Sequence, residues 1–534
     1  MDSRLRALCD LDVAESREFA GRHEYDGHLQ DLSPQGVRRG LAALGGDPRD
    51  DRRDHRRDDP YDEALTAAKE AEARVRFGEL EQHRTNPMPH LANLDVACYD
   101  RDYAPEADRR AARERHLRGW PDAVDAAVQA LDTVPAPVAE ALLGTARGLA
   151  GGLDPAEGEV VAAALAAHAR LVTHLETAAR DGAPSAQLGA DRLARLLGAA
   201  EATEVDLAAL AARADTERDR LRAILDEACA RLAPGRPTAQ VVDELVRDHP
   251  DTDGVVAEAQ ALTEEVIAWT AQRRLAPYSD GSCLVGPAPE SRQWGMAMMS
   301  WSAPGEPAAP SWYYVTPPRP EWSEQEREEW LQVFSRTTLP AITVHEVAPG
   351  HFSHGLALRH APSLARQVLF SQAFVEGWAH YVEEVAIEEG FRADDPRFAA
   401  GVAIEALLRV TRFACAIGLH SGEMTVADAT RRFEQDAFLA GPAARAEAGR
   451  GTFDPTYGRY TWGKLAILDL REQARTAWGA GFDLPRFHAA LLELGSPPLG
   501  LLDHVLAAGP TAAGPTAAGP TAAGPTAAGP TAGR

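Results

Sequence analysis

The sequence predicts a mostly α-helical fold with one small β-element, and three observations carry that prediction. From Asp62 to about Gln272, apolar residues recur at three- and four-residue spacing with charges between them, as in DEALTAAKEAEARVRFGELE and DRLRAILDEACARL. That spacing lines one face of a helix. From Pro277 the character changes to short aromatic and aliphatic runs bounded by Gly and Pro, namely SCLVGP, WGMAMMSW and SWYYVTPP. Such runs suit strands of a small sheet. At Ser323 the helical periodicity resumes and continues to Leu494.

Taken in order, residues 1–61 form an N-terminal segment that ends in GDPRDDRRDHRRDDP. This dense run of both charge signs has no apolar face, so a solvated, partly disordered loop is expected. Residues 62–276 read as a helical N-terminal half. Its breaks fall at Pro135-Ala-Pro137, Gly151-Gly152, Gly182-Ala-Pro184, Pro234-Gly235 and Pro250. Nothing in it exceeds a bundle of amphipathic helices. Residues 277–507 hold the strand runs, and seven of the ten tryptophans lie between Trp294 and Trp462. Here SWYYVTPP reads equally as an edge strand open to a peptide backbone or as a buried strand. The capping box Ser323-Glu-Gln-Glu326 opens its first helix. Residues 508–534 repeat GPTAA, a unit that cannot bury a core, and a disordered tail is expected.

Composition excludes several functions. The 534 residues carry a net charge of -25, which is contrary to the cationic face a nucleic-acid binder needs. No apolar run approaches the roughly 20 residues of a membrane span, and the charged start MDSRLRALCDLD does not read as a signal peptide. Five scattered cysteines without a C-x-x-C pair suit a reducing compartment, so a cytoplasmic protein is expected. Lysine occurs only at Lys69 and Lys464, which sets both apart from the abundant arginines. Oligomeric state is not encoded legibly.

Five of seventeen histidines fall between His345 and His380, in TVHEVAPGHFSHGLALRH and SQAFVEGWAHYVEE. His345-Glu346 is like the start of His-Glu-x-x-His, where two imidazoles bind zinc and the Glu takes a proton from the metal-bound water. The second histidine, His351, comes six residues on rather than four. On an unbroken helix the pair would lie about 240° apart. Pro349-Gly350 between them can break the helix and swing His351 back. A metal site requires that break. Glu376, His380 and Glu383 share one helical face, and a carboxylate from it completes a His2Glu set. Tyr381 or Glu383 could then orient a ligand imidazole. Carboxylates in apolar surroundings such as VHEVA are costly unless compensated, which a metal would do.

HEVAPGH, EGWAHYVE and DPTYGRYTWGKLAILDLRE, in this order, resemble the bacterial domain of unknown function 885 family. The motifs span about Pro277 to Leu502; residues 60–276 match the family only in helical character. The resemblance implies a large helical, metallopeptidase-like fold related to the gluzincins, with a small β-element beside one zinc ion. It also implies His345, His351 and Glu376 as ligands and Glu346 as general base. His354 stands where such sequences often have glutamine.

Other residues receive roles from chemistry. Tyr460 or His420 could hold the oxyanion of a tetrahedral intermediate. Lys464, Tyr457 and Arg412 are candidates for binding substrate, with Lys464 favoured for a carboxylate and Arg409 expected in an ion pair. The expected reaction is zinc-dependent hydrolysis of a peptide or other amide bond. The partner is then a peptide or small amide substrate, with no nucleic acid and no membrane. Two alternatives stand beside it: a zinc enzyme acting on a small non-peptide amide-like metabolite, and a non-catalytic helical scaffold that keeps metal for structure. Glu346 argues against the scaffold, which needs ligands but no base.

Overall fold

The computed structural model describes residues 1–45, 59–306 and 309–507. The disorder expected for most of the charged run before Pro60 and for the GPTAA tail falls outside the described residues.

Long amphipathic helices dominate the first half. Glu106–Ala130 and Ala136–Gly148 each pack against Glu159–Asp181. Trp120, Val124 and Ala127 from the first meet Ala164, Leu171 and Leu175 from the last in one apolar cluster. Leu207–Leu232 lies along Pro396–Ser421, burying Leu221, Leu225 and Ala228 with Ala400, Ala403 and Leu407. This pairing ties the N-terminal helices to the C-terminal ones. The largest core goes further, since it runs from Leu5 through Leu65, Val266 and Phe374 to Val505. Packing therefore does not follow the division expected after residue 276. The physical reason is size: the short helices Ser3–Asp10 and Val13–Glu18 have no core of their own and bury their apolar faces on later elements.

The three strand runs form one sheet, β1 (Cys283–Pro287), β2 (Ala297–Ser300) and β3 (Ser311–Val315), in the order β1-β3-β2. β3 runs parallel to β1 and antiparallel to β2. SWYYVTPP is thus the central strand, with Ser311, Tyr313 and Val315 buried on alternate positions. The strand with a free edge beside the histidines is β2.

Ser323 caps Glu324–Leu331 with the reciprocal Ser323–Glu326 box. Farther on, Gln372–Glu388 and Arg459–Trp478 cross almost backbone to backbone. A Cβ on Gly377 would lie 2.5 Å from the Gly463 Cα, and one on Gly463 would lie 1.9 Å from the Ala373 carbonyl oxygen. Only glycine allows that approach, and it brings Glu376 and Tyr460, each near the start of its helix, toward a common cavity.

Candidate metal centre

Leu339–Glu346 is a buried helix that places His345 and Glu346 on its last turn. The backbone leaves helical geometry at Val347 (φ -107°, ψ -92°) and starts a new helix at His351. The Ala348–Pro349 peptide between them is cis. A Cβ on Gly350 would stand 1.8 Å from the His345 carbonyl oxygen, so the turn folds back on itself only with glycine there. Trp378 Nε1 donates to the Pro349 carbonyl at 2.9 Å and holds the turn from the neighbouring helix. His345 and His351 consequently face one another, with ring centroids 4.7 Å apart and planes at 86°.

Glu376, in the second turn of Gln372–Glu388, reaches both rings. Its Oε2 lies 3.4 Å from His345 Nε2 and 3.2 Å from His351 Nε2. The same oxygen is buried and has no hydrogen-bond partner among the described residues. Two buried imidazoles and a half-buried carboxylate thus converge on a shared space. Two ligand atoms on a tetrahedral zinc, each about 2.05 Å from it, are separated by about 3.3 Å. The donor set therefore fits such an ion in identity, and the two Glu376–imidazole separations match its spacing.

The surroundings extend the fit. His345 Nδ1 is 2.7 Å from Glu383 Oε1, which fixes the ring with Nε2 inward. Arg409 approaches Glu383 at 3.4 Å. Ligand atoms of His345, His351 and Glu346 all lie within 4.8 Å of one another. Glu346 Oε2 is buried and unpartnered among the described residues. Burial raises the Glu346 pKa above the usual carboxylate range, although His351 and His345 oppose this. Glu376 behaves oppositely: burial would raise it, but the two imidazoles hold it well below that range. The two neighbouring carboxylates are thus shifted in opposite directions.

These groups open into a cavity of about 550 Å³. β2 lines one wall, and Tyr460 lines another with its ring 6.2 Å from that of His345. The Tyr460 oxygen accepts from Arg450 Nη2 at 3.1 Å. Its pKa is raised by burial against the pull of Arg450, so the phenol keeps its proton. The N-terminal segment reaches the cavity through Glu15, and the helical half after it, expected to be a plain bundle, through Lys69, Asn86 and Asp95.

Other expected site residues stand elsewhere. Lys464 is fully buried between Glu217 and Glu384, outside the cavity wall. His420 Nε2 donates to the Gly451 carbonyl at 2.8 Å, and Tyr457 is buried beneath Gly451. Neither lines the cavity. The Tyr381 hydroxyl pairs with His488 Nε2 at 3.0 Å, on the side of the helix away from His345. His354 is held by Gly495 and Ser496, and burial lowers it to about 3. Arg412 does line the cavity, but Glu447 takes it bidentately at 2.6 and 2.7 Å. Sequence reasoning missed Arg450, which lies outside the quoted motifs, and also Arg459 and Trp294, although DPTYGRYTWGKLAILDLRE and WGMAMMSW contain them. Their shared signal is only that each is Arg or Trp near an aromatic-rich run.

Comparison with known proteins follows the same outline. The model of the family described as "Bacterial protein of unknown function (DUF885)" matches residues 15–506. Among solved structures, a candidate lipoprotein of unknown function from Shewanella oneidensis is similar with a TM-score of 0.72. It is 20% identical, and the match covers 94% of this chain and 98% of that one. A candidate lipoprotein from Colwellia psychrerythraea has a TM-score of 0.74 at 16% identity, covering 95% and 96%. At these identities the likeness concerns the fold. No curated protein matches. Among the described residues no helix is long and apolar enough to cross a membrane.

Proposed function

The chain belongs to the bacterial DUF885 family, and we propose that it is a zinc-dependent hydrolase of peptide or other amide bonds with a gluzincin-like centre. The carrying observation is Glu346: a buried carboxylate oxygen with no hydrogen-bond partner among the described residues, beside His345, His351 and Glu376, whose ligand atoms converge. A metal kept only for structure has no use for such a base.

His345, His351 and Glu376 would hold the ion. Bound zinc supplies Lewis acidity, polarising a carbonyl and making a neighbouring water acidic. Glu346 accepts the proton of the attacking water and passes it to the departing amine nitrogen. The raised basicity of this buried carboxylate suits both steps. Tyr460 donates its O–H to the developing oxyanion, while Arg450 occupies a lone pair of the phenol and turns the proton away from itself. The free edge of β2 offers backbone groups to an extended substrate. Five buried, unpaired cysteines favour a reducing compartment and so a cytoplasmic location.

The test is metal analysis together with a peptide-library digest read by mass spectrometry, with and without chelator. One zinc per chain and chelator-sensitive cleavage are expected. Glu346→Gln should keep the metal and lose at least about 100-fold in kcat. A variant that keeps both metal and full activity removes the base assignment.

A further inference from the structure

Seven arginines line the cavity. Arg17, bonded to the His28 carbonyl, and Arg76, 3.6 Å from Asp12 and Glu72, come from the first 76 residues; the other five come from residues 277–507, and their partners separate them. Arg412 is held bidentately by Glu447 at 2.6 and 2.7 Å. Arg292 takes Glu18 at 2.6 and 2.7 Å and Asp95 at 2.7 Å. Arg409 stands between Glu383 and Glu405. Arg459 grips Asp454 through two short bonds of 2.6 and 2.9 Å.

Arg450 differs. Its single carboxylate is that same Asp454, and both bonds to it are long, at 3.3 Å. One anion is thus shared between two guanidiniums, and Arg459 has the better half. Arg450 is only 6% exposed, where a cation needs close compensation, and beyond Asp454 only Glu447 adds negative charge, without a direct bond. Its remaining contacts are neutral: the Tyr460 hydroxyl, and the Trp294 ring at 5.4 Å from the guanidinium carbon. Nη1 has no hydrogen-bond partner among the described residues. Trp294, among the few large apolar side chains left exposed, lies on the same cavity wall.

We infer that Arg450 is the seat of a substrate carboxylate, and that the enzyme removes residues from the free C-terminus of a peptide. This rests on the hydrolase reading above and deepens it. The distances bound the length of the leaving group. Tyr460 stands 6.2 Å from His345 ring to ring, and the Arg450 guanidinium 5.7 Å from the Tyr460 ring. Together they allow at most about 12 Å, so at about 3.8 Å per residue the carboxylate that reaches Arg450 lies within about three residues after the scissile carbonyl. In the step itself the C–N bond before that segment breaks and the oxygen of water bonds to the carbonyl carbon. One water proton travels through Glu346 to the departing amine. Trp294 then offers a flat apolar platform to the side chain of the released residue. Lys464 and Arg412, expected from sequence to take the carboxylate, are already neutralised by Glu217 with Glu384 and by Glu447.

The probes are N-acetylphenylalanine and N-acetylphenylalanine amide, titrated calorimetrically into full-length protein with and without zinc. Binding is read directly, so the result does not depend on turnover. The acid is expected to bind about 10- to 100-fold more tightly than the amide, the range for a hydrogen bond to a charged group. That preference should persist in metal-free protein and collapse toward unity in Arg450→Gln. Equal affinities in the unaltered protein overturn the inference, as does an acid preference that survives Arg450→Gln or vanishes with the metal. If Arg450→Gln does not fold, the wild-type acid–amide comparison without metal decides alone. Endopeptidase activity on C-terminally amidated peptides would refute exo-cleavage while leaving the hydrolase reading intact.

Discussion

Replacing Lys464 by methionine tests whether this lysine serves the fold or the substrate. Its ammonium lies between Glu217 and Glu384, 2.6 Å from the latter, and its side chain is fully buried. Methionine keeps most of the stem volume and deletes the charge. Removing one member of a buried ion cluster costs about 3–5 kcal/mol, because the partners are left as uncompensated charges. Here Arg220 still contacts Glu217 and Glu384 at 2.7 Å, which places the loss near about 3 kcal/mol. Urea unfolding followed by circular dichroism measures it. The pH dependence has a definite sign. Burial would raise Glu384, but Lys464 and Arg220 lower it to about 2 from 4.5. Stability from a depressed carboxylate is complete above the unfolded value and disappears as pH falls toward the folded one. The gap between wild type and Lys464→Met should therefore be full at pH 7 and narrow below pH 4.5. A loss under about 1 kcal/mol, accompanied by a higher KM, would refute the structural role.

Three further outcomes follow from the geometry. Glu383→Gln weakens the hold on His345 Nδ1 and should lower zinc affinity about 10- to 100-fold in competition with a chromophoric chelator; unchanged affinity removes that orienting role. Gly350→Ala places a methyl group where only 1.8 Å separates it from the His345 carbonyl oxygen. The variant should keep its helical circular dichroism yet lose stoichiometric metal, and normal zinc content would show that the turn does not set the ligand geometry. His90 and His488 are each lowered by burial from 6.5 to about 4 while bonded to the His83 and Leu275 carbonyls. The unfolded chain takes up these protons first, so stability is full above pH 6.5 and falls on acidification by about 1.4 kcal/mol per pH unit for each. His90→Gln and His488→Gln should each flatten the urea-midpoint slope between pH 6.5 and 4; an unaltered slope counts against a neutral buried ring.

Periodicity made the helices legible, and the Gly- and Pro-bounded runs marked all three strands, because both signals are local. Strand order was not local. Only pairing with β1 and β2 makes Ser311–Val315 central and leaves β2 at the edge. The same divide runs through the site. Residue type and spacing single out His345, Glu346, His351 and Glu376, since Pro349-Gly350 is a chain break that can be read from two residues. The sequence could not distinguish Glu383, which reaches His345, from Tyr381, which turns away to His488. Nor could it show that Lys464 is consumed by Glu217 and Glu384 while Arg450 is left with half of Asp454. Backbone propensity and apolar spacing act over a few residues and are written along the chain. Whether a charge is compensated depends on which helices cross, and Gly377 and Gly463 fix that crossing only once the chain has folded.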